Sequence, residues 1–326
     1  MKPRFLYLTA NQRCNLRCAH CAFWQKGHNE HPPDTLHERV LEEFAEIAAD
    51  NAAVCICGGE NLLDPEPFYA ITRKCRALGL RCLVVLNGTV KHDVDKLLLE
   101  GPTQITLSLD SPYPETHDSI RGVAGAWQRT VNFAHLLVGR SAALGLSTPL
   151  YAMAVTCERN YRDLDRFFGL VQDELRLDKL KLNFLQPTFG ASPPDTYFAE
   201  NVIKDPDALV SILANVDTKY GIGWNPGWIE AVWDYHASIK RNGDALSGWA
   251  HQGRTSLHIC NSYERNIMVD QDGVARLCYY PAFSSRRLTQ KGDLSALWVG
   301  ADRASMRQCN RYCGISHSVR RESARL

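Results

Sequence analysis

Charge of one sign is missing from this chain: 37 Lys and Arg stand against 36 Asp and Glu in 326 residues, a formal net charge of +1. Without a basic or acidic field, nothing in the composition argues for a nucleic-acid or anionic-membrane partner. Long hydrophobic runs are missing too. The opening MKPRFLYLTANQ holds Lys2 and Arg4 but an apolar run of only four residues, too short for the core of a signal peptide. No stretch approaches the roughly 20 apolar residues of a membrane-spanning helix. What is plentiful is cysteine. Twelve thiols in a chain without an export signal argue against a secreted disulfide scaffold and for metal or redox chemistry in a reducing, cytoplasmic setting.

The length suits one large α/β barrel or two smaller domains. Six apolar, β-branched runs recur: FLYLTAN (5–11), AAVCICGG (52–59), CLVVLNG (82–88), QITLSLD (104–110), PLYAMAVT (149–156) and LKLNFLQP (180–187). Helical patterns fall between them, at about 35–50, 67–79, 91–100, 128–145 and 160–175. This alternation predicts βα units and a parallel sheet. In a parallel barrel the loops after the strands converge, so the chemistry belongs at the carboxyl ends. Four successive runs end on such signals: the cysteines after the first, Gly58-Gly59-Glu60, Asn87-Gly88, and Ser108 to Ser111. The rhythm stops after Pro187, at a loop rich in turn formers. Residues 191–255 read as a helical connecting region with Trp224, Trp228, Trp233 and Trp249, where packing competes with a substrate wall.

The stretch CNLRCAHC places Cys14, Cys18 and Cys21 within eight residues. Three thiolates in a glycine-free loop can wrap one corner of an iron–sulfur cube and leave one iron without a protein ligand. Zinc is the rival, but a structural zinc site wants four ligands, and His20 is badly placed beside Cys21 to be the fourth. Plain packing of the three thiols is the other alternative.

Cys14-x3-Cys18-x2-Cys21, with His20 before the last cysteine, resembles the cluster motif of the radical S-adenosylmethionine (AdoMet) superfamily. The resemblance implies that the open iron binds the amino and carboxylate groups of AdoMet. Reduction then yields a 5′-deoxyadenosyl radical that abstracts a substrate hydrogen. It implies a partial (β/α)6 TIM-like barrel over residues 1–190. Gly58-Gly59-Glu60 resembles the strand-two motif that receives the AdoMet ammonium, where an acidic group suits a cation. SLDSPYPETHDSIRG resembles the strand-four segment, so that Ser108 and Arg121 would hold the AdoMet carboxylate, Arg121 supplying a fork, with Asn87 near the ribose. His20 and Asp110 complete the implied AdoMet contacts. Asn61 departs from the family, which usually has proline there. Taken singly, a GGE usually marks a turn, and Asp110 or His117 a solvated or capping group; their order carries the inference.

Near the C-terminus Cys260, Cys278, Cys309 and Cys313 make a second set of four. The run between the first two reads as a β-hairpin around DQDG, Asp270 to Gly273, and would carry Cys260 and Cys278 toward each other. The segment 256–326 resembles the α+β auxiliary-cluster extension of the same family, called SPASM or, in its shorter form, twitch. Four cysteines imply a single second 4Fe–4S cluster. A zinc site is the alternative.

Cys55, Cys57, Cys75 and Cys82 read as small hydrophobes. Cys157 follows the fifth run at the rim, where a thiol can return hydrogen to a substrate radical. The resemblance implies a flavodoxin or ferredoxin as electron donor. Because the chain starts almost at its first strand, a separate peptide-recognition domain is not expected, which favours a small polar substrate such as an aminocyclitol or sugar, dehydrogenated with the auxiliary cluster as acceptor. Epimerisation or cross-linking of a ribosomally made peptide is the alternative reaction. A zinc-binding module without enzymatic activity is the alternative of another class.

Overall fold

The computed structural model describes residues 1–21, 23–25, 34–186, 196–242, 256–278, 285–308 and 314–320. Along the first strand, β1 (Phe5–Asn11), Leu6 and Leu8 are wholly buried while Phe5 and Tyr7 are only half-buried. This is the period of two that puts one face of a sheet against helices and the other toward a partly open interior. The same alternation recurs as strands and helices follow in turn: α1 (Asp34–Ile47), β2 (Ala53–Gly58), α2 (Pro65–Ala77), β3 (Arg81–Leu86), α3 (Val94–Glu100), β4 (Gln104–Ser108), α4 (Pro114–Arg121), α5 (Ala126–Ala143), β5 (Leu150–Thr156), α6 (Leu164–Gly169) and β6 (Lys179–Phe184). These six strands are parallel and adjacent in sequence order. Their outward residues, among them Val54, Ile56, Val84, Leu107 and Ala152, share one core with Phe44, Phe68, Leu97, Leu137 and Phe167 of the helices. Each such large side chain removed from water contributes about 1.5–3 kcal/mol.

Cys55 and Cys57 lie on the inner face of β2, half-buried, with burial pushing both thiols up to about 12. Cys75 and Cys82 are buried. On the same inner face, Lys181 Nζ sits 4.6 Å above the Tyr151 ring.

Three helices follow, α7 (Thr196–Asn201), α8 (Pro206–Tyr220) and α9 (Pro226–Asn242). Trp224 and Trp228 join them to the barrel. Their rings lie 5.4 Å apart, Trp224 lies 5.8 Å from Phe168, and Trp228 lies 6.0 Å from Phe184. Trp233 Nε1 donates to Asp207 Oδ1 at 2.8 Å. Trp249 lies outside the described residues, as do the stretches 187–195 and 243–255 that carry both domain boundaries expected from sequence.

The C-terminal part adds β7 (His258–Cys260), β8 (Asn266–Val269), β9 (Val274–Arg276), β10 (Ser285–Arg287), α10 (Asp293–Val299), α11 (Ala301–Ser305) and β11 (Ser318–Arg320). The hairpin expected around Asp270 to Gly273 is β8–β9, and the Gly273 N–H closes its turn on Asp270 O at 3.0 Å. The hairpin does not stand apart from the barrel: β8 pairs in parallel with β1, so one nine-stranded sheet runs β10-β9-β8-β1-β2-β3-β4-β5-β6. Cys260 belongs elsewhere, to a two-stranded sheet in which it faces Ser318 of β11.

Candidate active site

The loop after β1 carries Cys14, Cys18 and Cys21, and its backbone is stitched to the end of α4. Arg17 N–H donates to Arg121 O at 3.0 Å and Ala19 N–H to Ile120 O at 3.2 Å, fixing both neighbours of Cys18. Cys18 is buried with Leu16 and Ala126, and Cys14 and Cys21 pack against them. Burial pushes the Cys14 thiol up to about 11; the Leu16 N–H draws it partly back, and Cys18, Glu60 and Cys21 add to the rise. Burial likewise raises Cys18, against the pull of Arg121. Thiols held neutral in such a shell give up their protons when they bind iron.

At the end of β2 the glycines permit contact between two backbones. Gly59 N–H donates to Asn11 O at 2.9 Å and Glu60 N–H to Arg13 O at 2.7 Å. A Cβ on Gly58, whose φ is +120°, would lie 2.1 Å from Asn11 O, and one on Gly59 would lie 1.9 Å from Arg13 O. No side chain fits there. The turn thus locks Glu60 beside the cysteine loop. Glu60 is buried, with Oε1 accepting from Leu62 N–H at 3.1 Å and Oε2 from Asn87 N–H at 2.7 Å. Burial outweighs both bonds and pushes its carboxyl up to about 7. Asn87 Nδ2 donates to Asn15 Oδ1 at 2.8 Å, and Asn87 Oδ1 accepts from Thr89 N–H at 2.8 Å. Asn87 therefore ties the third loop to the first.

Ser108 ends β4, buried. Two residues on, Asp110 is wholly buried and takes the fork of Arg121, Nε donating to Oδ2 at 2.5 Å and Nη2 to Oδ1 at 3.0 Å. Burial works against ionisation of Asp110, but Arg121, His117, His20 and the Val155 N–H outweigh it and hold its carboxyl below the usual range. The third edge of the guanidinium, Nη1, faces Cys18 Sγ at 3.9 Å. The fork that the sequence assigns to a ligand carboxylate is thus spent inside the protein. His117 Nδ1 accepts the Asp110 N–H at 3.1 Å, and burial lowers the ring to about 4, so it stays neutral with its hydrogen on Nε2. Asn160 is a member no motif announces. Its Nδ2 donates to Asp110 O at 2.8 Å and its Oδ1 accepts the Cys157 N–H at 2.8 Å. Cys157 is 1% exposed, its thiol pushed up to about 11 by burial first. The His20 ring lies 6.5 Å from that of Tyr197.

Of the second cysteine set, Cys260 and Cys278 are partly buried, and Cys278 packs against the main core. Cys309 and Cys313 lie outside the described residues.

The strand ends fit an iron–sulfur cluster with AdoMet. The donors are right, three thiols in one loop with a guanidinium edge on one of them. Around them Asn11 Oδ1, both polar ends of Asn61 and His117 Nε2 are buried without a hydrogen-bond partner among the described residues. Each such group costs about 1–3 kcal/mol until a polar partner meets it, and AdoMet carries an ammonium, a carboxylate, hydroxyls and an adenine to do so.

Residues 9–141 match the Radical SAM superfamily. The chain carries a radical SAM domain, the class of domain that binds AdoMet and a 4Fe–4S cluster. An AdoMet-dependent heme synthase from Methanosarcina barkeri is 30% identical over 190 residues, 57% of this chain and 52% of that protein. The Bacillus subtilis antilisterial bacteriocin subtilosin biosynthesis protein AlbA is 32% identical over 133 residues, 38% of this chain and 28% of that protein. The chain spans about half the length, or less, of these curated relatives. Among solved structures, Streptococcus suis SuiB bound to S-adenosylmethionine superposes with a TM-score of 0.65 at 15% identity, over 94% of this chain and 68% of SuiB. Native anSMEcpe with bound AdoMet and Kp18Cys peptide gives a TM-score of 0.64 at 17% identity, over 93% and 82%. These two share the fold. Among the described residues no helix is long and apolar enough to cross a membrane.

Proposed function

We propose that the chain is a radical AdoMet oxidoreductase that dehydrogenates a small polar substrate such as an aminocyclitol or sugar. Cys14, Cys18 and Cys21 would hold the AdoMet-binding cluster, and Cys260, Cys278, Cys309 and Cys313 an auxiliary 4Fe–4S cluster that accepts the substrate electron. The observation that carries this reading is the pinned cysteine loop, whose Cys18 is fixed between α4 and the Arg121 guanidinium. When bound and reduced, the cluster and AdoMet supply a 5′-deoxyadenosyl radical that takes a hydrogen atom from substrate. Glu60 would face the AdoMet ammonium, Ser108 its carboxylate and Asn87 its ribose, while the barrel interior excludes water and orients the C–H bond. For the auxiliary set, support comes from the β7–β11 pairing, because Cys260 faces Ser318, five positions after Cys313. A flavodoxin or ferredoxin would deliver the electrons.

Anaerobic reconstitution tests the reading. About eight irons per chain, matched by sulfide, and 5′-deoxyadenosine formed with dithionite and AdoMet are expected; iron without AdoMet cleavage would overturn it.

A second reading, radical modification of a ribosomally made peptide, is favoured by one observation. The fold spans 92% of this chain on SuiB bound to the precursor peptide SuiA, with a TM-score of 0.64. Under it Cys157, neutral and at the rim, would return hydrogen to the substrate radical. Incubation with a candidate precursor peptide and a mass change of the product distinguish the two.

A further inference from the structure

Arg121 and Asp110 are buried together, 7% and 0% exposed, and neither has freedom to turn. The Asp110 carboxylate receives two bonds from Arg121 and, on Oδ1, a third from Val155 N–H at 2.8 Å. Its backbone N–H and C=O are engaged by His117 and Asn160. Arg121 in turn accepts the Arg17 N–H through its own carbonyl at 3.0 Å, so the residue that touches Cys18 also anchors the loop bearing it. What remains of the guanidinium is Nη1, 3.9 Å from Cys18 Sγ.

A cluster held by three thiolates gains negative charge on reduction, and its potential is set by net charge, hydrogen bonds to its sulfurs and exposure. An N–H aimed at a ligand sulfur and a nearby cation stabilise the reduced form. A carboxylate at slightly greater distance opposes them. Both stand in line with Cys18 and carry opposite charges: Arg121 Nη1 faces its sulfur at 3.9 Å, and the Asp110 carboxylate holds the other edge of the same guanidinium. In a buried site such effects are weakly screened.

We propose that Asp110 and Arg121 form a charge-compensated pair that sets the reduction potential of the AdoMet-binding cluster through the Cys18 sulfur. Arg121 supplies the N–H, and Asp110 both aims the guanidinium and cancels most of its charge. Both are positioning residues, acting on the cluster through its ligand. The pair deepens the reading that Cys14, Cys18 and Cys21 hold that cluster and rests on it.

The test is a redox titration of the reconstituted full chain without AdoMet, followed by electron paramagnetic resonance. The step followed is the one missing from the Cys14→Ala/Cys18→Ala/Cys21→Ala variant. Arg121→Gln leaves a bare carboxylate and is expected to lower the midpoint. Asp110→Asn leaves a bare guanidinium and is expected to raise it. Each shift is expected to change the reduced-to-oxidised ratio at fixed potential about tenfold, or about 59 mV for a one-electron couple. Opposite shifts support the pair. Unchanged midpoints in both variants overturn it and leave Arg121 and Asp110 as a pair that only anchors the cysteine loop. Shifts of the same sign overturn it in favour of a distorted loop. Should Arg121→Gln fail to assemble a cluster, Asp110→Asn decides alone: a raised midpoint supports the pair, an unchanged or lowered one overturns it. If the wild type showed no step that the triple cysteine variant lacks, the cluster assignment itself would fall, which is a different result from unmoved midpoints.

Discussion

The backbone N–H of Asn87 donates to Glu60 Oε2 at 2.7 Å, tying the end of β3 to the end of β2. That carboxyl is pushed up to about 7 by burial, so it is half protonated near neutral pH. An ammonium prefers the ionised form. AdoMet affinity is therefore expected to rise with pH up to about 7, by at most about tenfold per pH unit, and to level off above. Glu60→Gln should bind AdoMet more weakly above pH 8 and lose the slope. Stability runs the other way. The fold prefers the protonated acid, so this contribution is full below the ordinary value of 4.5 and is lost as pH rises through about 7. Calorimetric AdoMet titrations and thermal melts from pH 5 to 8.5 check both signs; a wild type with pH-independent AdoMet affinity would remove Glu60 from the ammonium.

Combined Cys14→Ala, Cys18→Ala and Cys21→Ala exchange is expected to abolish formation of 5′-deoxyadenosine while leaving about four irons on the auxiliary set. Iron analysis of the anaerobically reconstituted variant, alongside a cleavage assay with dithionite, reads both. Full cleavage activity would refute the assignment of the first loop. Loss of all iron would refute the auxiliary set.

Glycine at position 59 is expected to be irreplaceable for backbone reasons before any ligand binds. Its Cβ would lie 1.9 Å from Arg13 O, a rigid carbonyl in the run leading to Cys14. Gly59→Ala must push β2 away from the cysteine loop, at a cost of about 1–3 kcal/mol or more. A lowered melting temperature of the metal-free chain, together with reduced iron uptake, is the expected pair of readouts. An unchanged melt would mean that the two segments separate freely.

The six parallel strands and the residues at their carboxyl ends were legible because both rest on local signals, apolar β-branched runs and glycine or polar punctuation. Helix α4 was hidden inside a motif. Pro114 at its first turn and Gly122 in the left-handed region after Arg121 are ordinary start and stop signals, yet SLDSPYPETHDSIRG invites a reading as ligand contacts only. The direction of Arg121 was beyond the sequence. Asp110 lies 11 positions before Arg121 and Cys18 lies 103 before it, and only packing decides that the guanidinium meets both. The docking of β8 beside β1 was equally out of reach, since a strand of four residues carries no mark of the edge it will join. Asn15 and Asn160 take part through side-chain hydrogen bonds to neighbouring strand ends and loops, two for Asn15 and three for Asn160, which leave no periodic trace.

Cys157 separates the two readings of the reaction. Burial raises its thiol to about 11, so near neutral pH it stays S–H, the form able to give a hydrogen atom, and that hydrogen exchanges with solvent. In a dehydrogenation nothing is returned to the substrate. Product formed in heavy water is then expected to carry no solvent deuterium at the reacting carbon, and Cys157→Ala should turn over at a rate close to wild type while losing about 1 kcal/mol of stability from a buried position. In an epimerisation one deuterium enters each product molecule, and Cys157→Ala stops that incorporation while 5′-deoxyadenosine continues to form. Deuterium in the wild-type product that vanishes in the variant would therefore overturn the dehydrogenase reading and make Cys157 the hydrogen donor; deuterium that persists in the variant would leave its thiol a packing residue.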